Sequence, residues 1–248
     1  MQRSTVSQNT GTVMNVHVYT LGDKNPSIYS QFGCLFKKLS AEFKPFYMDE
    51  LRVKKPSLIF TGSNMHHHLT ERIIRENFTD ERFFYVHIDA HRDYMNPLQI
   101  PKPEFYAFVQ HIAKLECCQG VAMVGNSALM MKEYLTEIKE NATVIDDTLN
   151  EKKIVLAENF KGIKNISQGD IYLSLDLDVL KRSYMETPYS SQGSMEFEEL
   201  LMILRHLTEN NSIIGADICG LPDKPTKEEL IRVEELSDIL INGISLTI

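Results

Sequence analysis

Short apolar runs alternate along most of the chain with longer stretches in which apolar residues recur every three or four positions. The short runs are rich in β-branched and aromatic residues and indicate strands, whereas the longer periodicity indicates helices. The predicted strands are residues 15–19, 57–60, 83–88, 121–124, 143–145, 171–175 and 212–216. The predicted helices are residues 65–77, 103–115, 127–141, 197–209 and 227–242. Such alternation is typical of βα units around a mostly parallel sheet, so we predict an α/β fold.

One domain accounts for this pattern. We predict an α/β domain over residues 14–248, preceded at residues 1–13 by a polar tail that we expect to be flexible. No internal repeat and no linker rich in Pro, Gly and Ser divides the chain, and 248 residues suit one α/β domain. Residues 152–164 show the weakest periodicity and leave room for one more short strand.

Composition and charge narrow the class of protein. With 43% hydrophobic and 24% charged residues the chain has a globular composition, and its net charge of −8 argues against nucleic acid or an anionic membrane as partner. The four cysteines include an adjacent pair but no C-x-x-C spacing, so we expect reduced thiols rather than a zinc ribbon or disulfides. The N-terminal residues lack an apolar signal sequence, and no apolar run approaches the ~20 residues of a membrane span. We therefore expect a cytoplasmic protein.

Candidate chemistry lies just beyond the predicted strands, where ligand crevices form in open α/β sheets. Strand 83–88 continues into Asp89, His91 and Asp93, and alternate positions of an extended segment point the same way. Two carboxylates and one imidazole suit Mn, Fe, Co, Ni or Zn. The alternative is that these aspartates cap the next helix.

Two further clusters follow other strands. Strand 171–175 ends in Asp176 and Asp178, two like charges that are costly to bury without a compensating cation. Strand 57–60 leads through a glycine turn to His66, His67 and His68, any of which could supply a further imidazole. Solvated aspartates in a turn and solvated histidines at a helix start are the alternatives.

The order of these motifs carries a family resemblance. A histidine, then Asp-Ala-His-x-Asp, then Ser-x-Asp-x-Asp, each after a strand, resembles the ureohydrolase family of arginases, agmatinases and formiminoglutamases. Residues 192–195 resemble the family's Gly-Gly-Leu-Thr segment, and residues 213–217 resemble its penultimate strand. The resemblance spans residues 56–245 and implies an arginase-type three-layer α-β-α sandwich with a mostly parallel central sheet.

The resemblance also implies a binuclear metal centre, with Mn²⁺ the expected ion. Its ligands would be His67, Asp89, His91, Asp93, Asp176 and Asp178. Asp89 and Asp176 would bridge the two ions and serve catalysis by activating a hydroxide between them. That hydroxide would attack a trigonal carbon, and the intermediate would collapse with loss of an amine or ammonia.

The chain departs from the family pattern in several places. The turn before the first histidine is longer, and the helix phase favours His67 while leaving His66 open. Leu180 and Lys181 replace a third aspartate and a proline. Residues 218–222, Ile-Cys-Gly-Leu-Pro, replace the stretch in which arginases and agmatinases place a glutamate that holds the guanidinium group. No segment matches the family's proton-shuttle histidine. Cationic and phenolic side chains near the predicted site mouth are Arg92, Lys181, Arg182 and Tyr184.

The leading prediction is a dimetal hydrolase that cleaves a non-peptide C–N bond in a small linear guanidine, amidine or amide. Two alternatives stay open: a deacetylase-like amidohydrolase with a single zinc, and a non-catalytic metal-binding member of the fold. We expect a small-molecule substrate and neither nucleic acid nor membrane as partner, and homo-oligomerisation stays open. The residues that bind substrate are not predicted.

Overall fold

An eight-stranded parallel sheet forms the centre of the described part of the chain. A computed structural model describes residues 16–22, 30–45, 51–94, 107–140, 153–164, 166, 169–187 and 193–245. The strands are β1 His17–Gly22, β2 Glu42–Pro45, β3 Ser57–Gly62, β4 Phe83–Ile88, β5 Cys118–Val124, β6 Lys153–Ala157, β7 Asp170–Asp176 and β8 Ser212–Cys219. Their order across the sheet is β2-β1-β3-β8-β7-β4-β5-β6.

Helices flank this sheet on both faces. They are α1 Gly33–Lys38, α2 Leu69–Asn77, α3 Phe108–Ala113, α4 Asn126–Glu140, α5 Phe160–Ile163, α6 Phe197–Asn210 and α7 Lys227–Ser245. Two short 3₁₀ turns, Asn64–His66 and Leu177–Val179, follow β3 and β7. Within the described ranges no helix combines the length and apolar character of a membrane span.

The alternation of side chains along the buried strands builds two separate cores. Phe84 and Val86 of β4 belong to the core beneath α1, α5, α6 and α7, whereas Phe83 and Tyr85 belong to the core beneath α2, α3 and α4. Because alternate residues of a strand point to opposite faces, a strand covered on both sides must be apolar at nearly every position. The predicted α/β class and its three layers, with helices on both faces of a parallel sheet, are therefore confirmed.

The strand order places the site. β3, β8, β7 and β4 are neighbours in the middle of the sheet, and all run parallel. Their carboxyl ends consequently meet at one edge, which brings together the polar residues that follow β3, β4 and β7.

Several predicted boundaries need correction. The helix predicted at 65–77 is a 3₁₀ turn followed by α2, which begins only at Leu69. The strand predicted at 212–216 continues to Cys219, because it stays paired with β3 and β7 on both sides. The strand predicted at 15–19 lies at His17–Gly22, and the helix predicted at 103–115 is described as Phe108–Ala113. Residues 1–13 and 143–145 lie outside the described residues. The short strand left open within 152–164 is β6.

Candidate metal centre

The first cluster of polar side chains directly follows β4. Asp89 follows the strand directly and is fully buried, with its backbone N–H donating to the Val124 carbonyl. The Asp89 Oδ1 accepts a 2.6 Å hydrogen bond from the backbone of His91. Asp93 then adopts a left-handed conformation, φ 43°, which turns the chain at this point.

β7 delivers the second cluster through the 3₁₀ turn that follows it. Asp176 Oδ1 accepts hydrogen bonds from the Asp178 backbone at 2.9 Å and from the Asn64 side-chain amide at 2.6 Å. Asp178 Oδ1 accepts from the Ala90 backbone at 3.2 Å. In each carboxylate one oxygen is therefore anchored, and the other is available to the centre of the site.

His67 is the histidine that enters the site. Its side chain is only 1% exposed, whereas His66 and His68 are partly exposed. The His67 Nδ1 lies 3.0 Å from Asp89 Oδ2, 3.4 Å from Asp176 Oδ2 and 3.6 Å from Asp93 Oδ2. The structure thus places His67, rather than His66, beside the carboxylates.

A buried relay fixes the orientation of the His67 ring. Ser174 Oγ donates to Asp217 Oδ1 at 2.9 Å, and Thr70 donates to the same oxygen at 3.1 Å. Because the single hydroxyl proton of Ser174 is used in this way, its oxygen accepts from His67 Nε2 across 2.8 Å. The neutral ring then carries its proton on Nε2 and leaves the Nδ1 lone pair facing Asp89, which is the tautomer that can bind a metal.

The site has two halves that share Asp89. The inner half consists of His67, Asp93, Asp176 and the Oδ2 of Asp89. The outer half consists of His91, Asp178 and the Oδ1 of Asp89, and His91 Nδ1 lies 3.0 Å from Asp178 Oδ2 and 3.4 Å from Asp89 Oδ1.

Among the described residues, three buried atoms face the centre of the site without a well-formed hydrogen bond, although each lies 3.0 Å from another ionisable side chain: His67 Nδ1, Asp89 Oδ2 and Asp178 Oδ2. Buried polar atoms are rarely left unsatisfied. An imidazole nitrogen and carboxylate oxygens converging in this way are the donors that divalent first-row metals prefer, so the residues present fit such ions.

The electrostatics of the site favour a bound cation. Burial, and then the charges of neighbouring aspartates, raise the pKa values of Asp93 and Asp178 well above the usual range of a carboxyl group. Burial opposes the charge of His91, but its contacts with Asp178 and Asp89 prevail and raise its pKa to about 11. With all four carboxylates ionised, the site would carry more negative charge than its two imidazoles offset, and a bound cation would compensate this excess.

Two residues beside the site were missed in the sequence. His87 on β4 is fully buried, its Nε2 lies 3.3 Å from Asp89 Oδ2, and burial lowers its pKa to about 4. Cys219 at the end of β8 places its sulfur within 4.8 Å of donor atoms of His67 and Asp176. The spacing of His87, Asp89 and His91, two residues apart along the chain, could have indicated that His87 faces the site.

The cationic side chains near the site are engaged elsewhere. Lys181 pairs with Glu196, and Arg182 pairs with Glu186. Arg92 lies over the Tyr134 ring, 4.3 Å from its centroid. The described contacts of these residues therefore supply no support for an anion site.

Gly220 lies within residues 218–222, the segment that departs from the predicted family pattern. Its φ of 77° is left-handed, and a Cβ added there would lie 2.3 Å from Asp176 Oδ1 and 3.0 Å from Asn64 Nδ2. The space beside the backbone is thus filled by the Asn64–Asp176 pair, and a side chain at this position would have to displace it.

Comparison with known proteins shows the family to which the chain belongs. A sequence model of the arginase family matches residues 2–225. A Thermotoga maritima protein of uncharacterised function is 28% identical over 193 residues, which cover 75% of this chain and 68% of that protein.

Solved structures show the same fold at low sequence identity. Proclavaminate amidino hydrolase from Streptomyces clavuligerus superposes with a TM-score of 0.63 at 13% identity, covering 94% of this chain and 93% of that one. Helicobacter pylori arginase gives 0.57 at 14% identity, covering 93% and 100%. Trypanosoma cruzi formiminoglutamase with Mn²⁺ gives 0.57 at 10% identity, covering 96% of each chain.

Proposed function

Because the chain belongs to the arginase family, we propose that it is a hydrolase that uses two divalent metal ions to cleave a C–N bond. The substrate class is a small linear guanidine, amidine or amide. The observation that carries the proposal is the position of Asp89, whose two carboxylate oxygens lie 3.0 Å and 3.4 Å from the Nδ1 atoms of His67 and His91. One carboxylate between two imidazoles is an arrangement suited to bridging two ions.

Six side chains would hold the ions: His67, Asp89, His91, Asp93, Asp176 and Asp178. Asp89, which lies between the two halves, and Asp176, which would reach both ions from the inner half, would be the bridging ligands, and we expect Mn²⁺ in at least one position. Ions of this kind lower the pKa of a bound water towards neutrality and so supply a nucleophile.

The protein's own contribution is to hold these ligands rigidly. Backbone N–H groups anchor Asp89 and Asp178, the Asn64 amide anchors Asp176, and Ser174 orients His67. Such outer partners typically change metal affinity or activity by about 10–100-fold when removed. A site prepared in this way loses little energy to reorganisation during the reaction.

Substrate choice should differ from that of arginases. A guanidinium group needs a fixed carboxylate to orient its carbon, and orientation of this kind contributes several kcal/mol to catalysis. Gly220 offers no side chain for this purpose, and Asn64 and Asp176 fill the space beside it. We therefore expect arginine and agmatine to be hydrolysed poorly, even with the protein saturated in Mn²⁺.

The experiment combines metal content with turnover. Purified protein should bind close to two divalent ions per chain, and a panel of guanidino, formimino and acetylamino compounds should reveal metal-dependent release of urea, ammonia or acetate. Asp176→Asn is the inactive control. Full metal loading with no turnover on any compound would leave a non-catalytic metal-binding protein. Efficient turnover of arginine or agmatine, near ~10⁴ M⁻¹s⁻¹, would refute the expected selectivity.

A further inference from the structure

Cys219 stands at the end of β8, in the middle of the sheet edge that carries the site. Its backbone is in register with Asp176 on β7 and with Gly62 on β3. The side chain is fully buried, and its Sγ lies 3.2 Å from the Ser63 carbonyl. The thiol therefore sits among the carboxyl ends of three central strands.

The pleat of the sheet determines which way this thiol faces. Ser174 on β7 is paired with Asp217 on β8, and these two side chains support the Nε2 edge of His67. Asp176 and Cys219 are the next pair two residues further along, so they occupy the same face of the sheet. Ser174 and Asp217 thus lie on the Nε2 side of the His67 ring, and Asp176 and Cys219 lie beside its Nδ1.

Three donor atoms converge as a result. The His67 Nδ1, a carboxylate oxygen of Asp176 and the sulfur of Cys219 all lie within 4.8 Å of one another. Independently of the cysteine, the His67 Nδ1 is a buried nitrogen without a well-formed hydrogen bond among the residues described. The same nitrogen lies 3.4 Å from Asp176 Oδ2.

We propose that Cys219 is a thiolate ligand of the inner metal ion and directs that position towards a thiophilic metal such as Zn²⁺, Co²⁺ or Fe²⁺. This inference rests on the proposed metal centre. Thiolate sulfur favours such metals, whereas the ligands described for the outer half, two carboxylates and one imidazole without sulfur, suit Mn²⁺. The two halves would accordingly select different ions.

Ligation exchanges a proton for the metal. The S–H bond of Cys219 breaks, a sulfur–metal bond forms, and the proton passes to solvent. Without a metal, burial and the charge of Asp176 raise the pKa of the thiol well above its usual range. The sulfur is then a neutral, unreactive group, and only a cation in the inner half would make it a ligand.

Cobalt substitution tests the ligand directly. Metal-free protein is titrated with Co²⁺ while visible d–d bands report binding and a near-ultraviolet charge-transfer band reports a cobalt–thiolate bond. The wild-type protein should show both. Cys219→Ser retains a donor towards the Ser63 carbonyl, so it should fold, bind cobalt and lack the charge-transfer band. Zn²⁺ affinity should fall by at least about tenfold in this variant, with Mn²⁺ affinity of the outer half little changed.

Serine variants of two other cysteines serve as matched controls for Cys219→Ser. Cys34→Ser removes an exposed thiol and Cys118→Ser removes a buried one at the opposite end of the sheet, and both should retain the band. Cobalt binding without a charge-transfer band in the wild type would overturn the role of Cys219 and leave the metal centre standing. A band that disappears in Cys34→Ser but persists in Cys219→Ser would also overturn it. No binding of cobalt, zinc or manganese would overturn both proposals.

Discussion

The inner and outer halves of the candidate metal centre meet at the Asp89 carboxylate but are built differently. In the inner half the His67 side chain is 1% exposed, and its support comes from Ser174 and Asp217 on two other strands. In the outer half the His91 side chain is 26% exposed, and its supports are local. The backbone N–H groups that anchor this half belong to His91 itself and to its neighbour Ala90.

This difference predicts different exchange rates for the two ions. The inner half needs β3, β4, β7 and β8 in register, because its ligands follow the first three strands and Asp217 lies on the fourth, so it is tied to the folded core. The outer half is assembled largely from one turn after β4 and lies nearer the solvent. We expect the inner ion to exchange slowly and the outer ion to exchange quickly and to meet the substrate first.

The largest effect should come from removing the residue that joins the two halves. Asp89→Asn takes away the charge of the shared carboxylate, so we expect metal content to fall from near two ions towards none and turnover to fall by more than about 100-fold. Metal analysis after dialysis measures the first and product release the second. Asp223→Asn, at an exposed position, is the matched control. A variant that retained both ions would show that Asp89 is not shared.

The second-largest effect should be the loss of the ion in the inner half alone. His67→Ala removes the imidazole of the inner half and should lower the stoichiometry to about one ion, while the outer half keeps His91 and Asp178. His66→Ala and His68→Ala are natural controls, because they alter neighbouring histidines that lie outside the inner half. Metal titration by calorimetry should resolve the lost site. Equal losses in all three variants would contradict the position of His67.

A smaller effect should follow from disturbing the support behind the inner half. Ser174→Ala breaks the link between His67 Nε2 and Asp217 while leaving every proposed ligand in place. We expect the affinity of the inner half to fall by about 10–100-fold and that of the outer half to stay nearly unchanged. Ser237→Ala, a buried serine that bonds within α7, controls for loss of a buried hydroxyl. Equal weakening of both halves would argue against separate supports.

The sequence predicted the central strands well because their two-sided burial makes them unbroken apolar runs. The predicted strand 83–88 coincides with β4, and the acidic residues after it fall where predicted. By contrast α1 and β2 were missed. β2 is an edge strand whose residues are exposed or half-buried, so its sequence carries no alternation strong enough to indicate a strand.

Cys219 shows why part of the site was not predictable. Ending the predicted strand at residue 216 left Cys219 in a loop, where a lone thiol has no implied neighbour. Only the register of β8 with β7 brings Cys219 opposite Asp176. The choice between His67 and His66 could not rest on helical phase, because both histidines precede α2, which begins at Leu69. The turn after β3 decides which of them lies beside Asp89.

The smallest predicted effect changes sign with the metal and concerns Asp93, the most exposed carboxylate of the inner half. Burial and the charge of Asp89 raise the pKa of Asp93 well above its usual range, so the ionised form is disfavoured in the metal-free fold. Its backbone is also left-handed, φ 43°, where asparagine is well tolerated. Asp93→Asn should therefore stabilise the metal-free protein, because the neutral amide avoids the cost of a buried negative charge.

Bound metal should reverse the order of stability of the wild-type protein and Asp93→Asn. A bound cation compensates the charge of Asp93, so the wild-type protein gains more stability from added metal than Asp93→Asn does. Urea unfolding in EDTA and again in excess Mn²⁺ measures both differences, with Asp170→Asn as an exposed control. If the variant were less stable than the wild type in EDTA, the charge of Asp93 would be serving the metal-free fold. The inner half would then be a preformed ion-pair network rather than an arrangement that needs a cation.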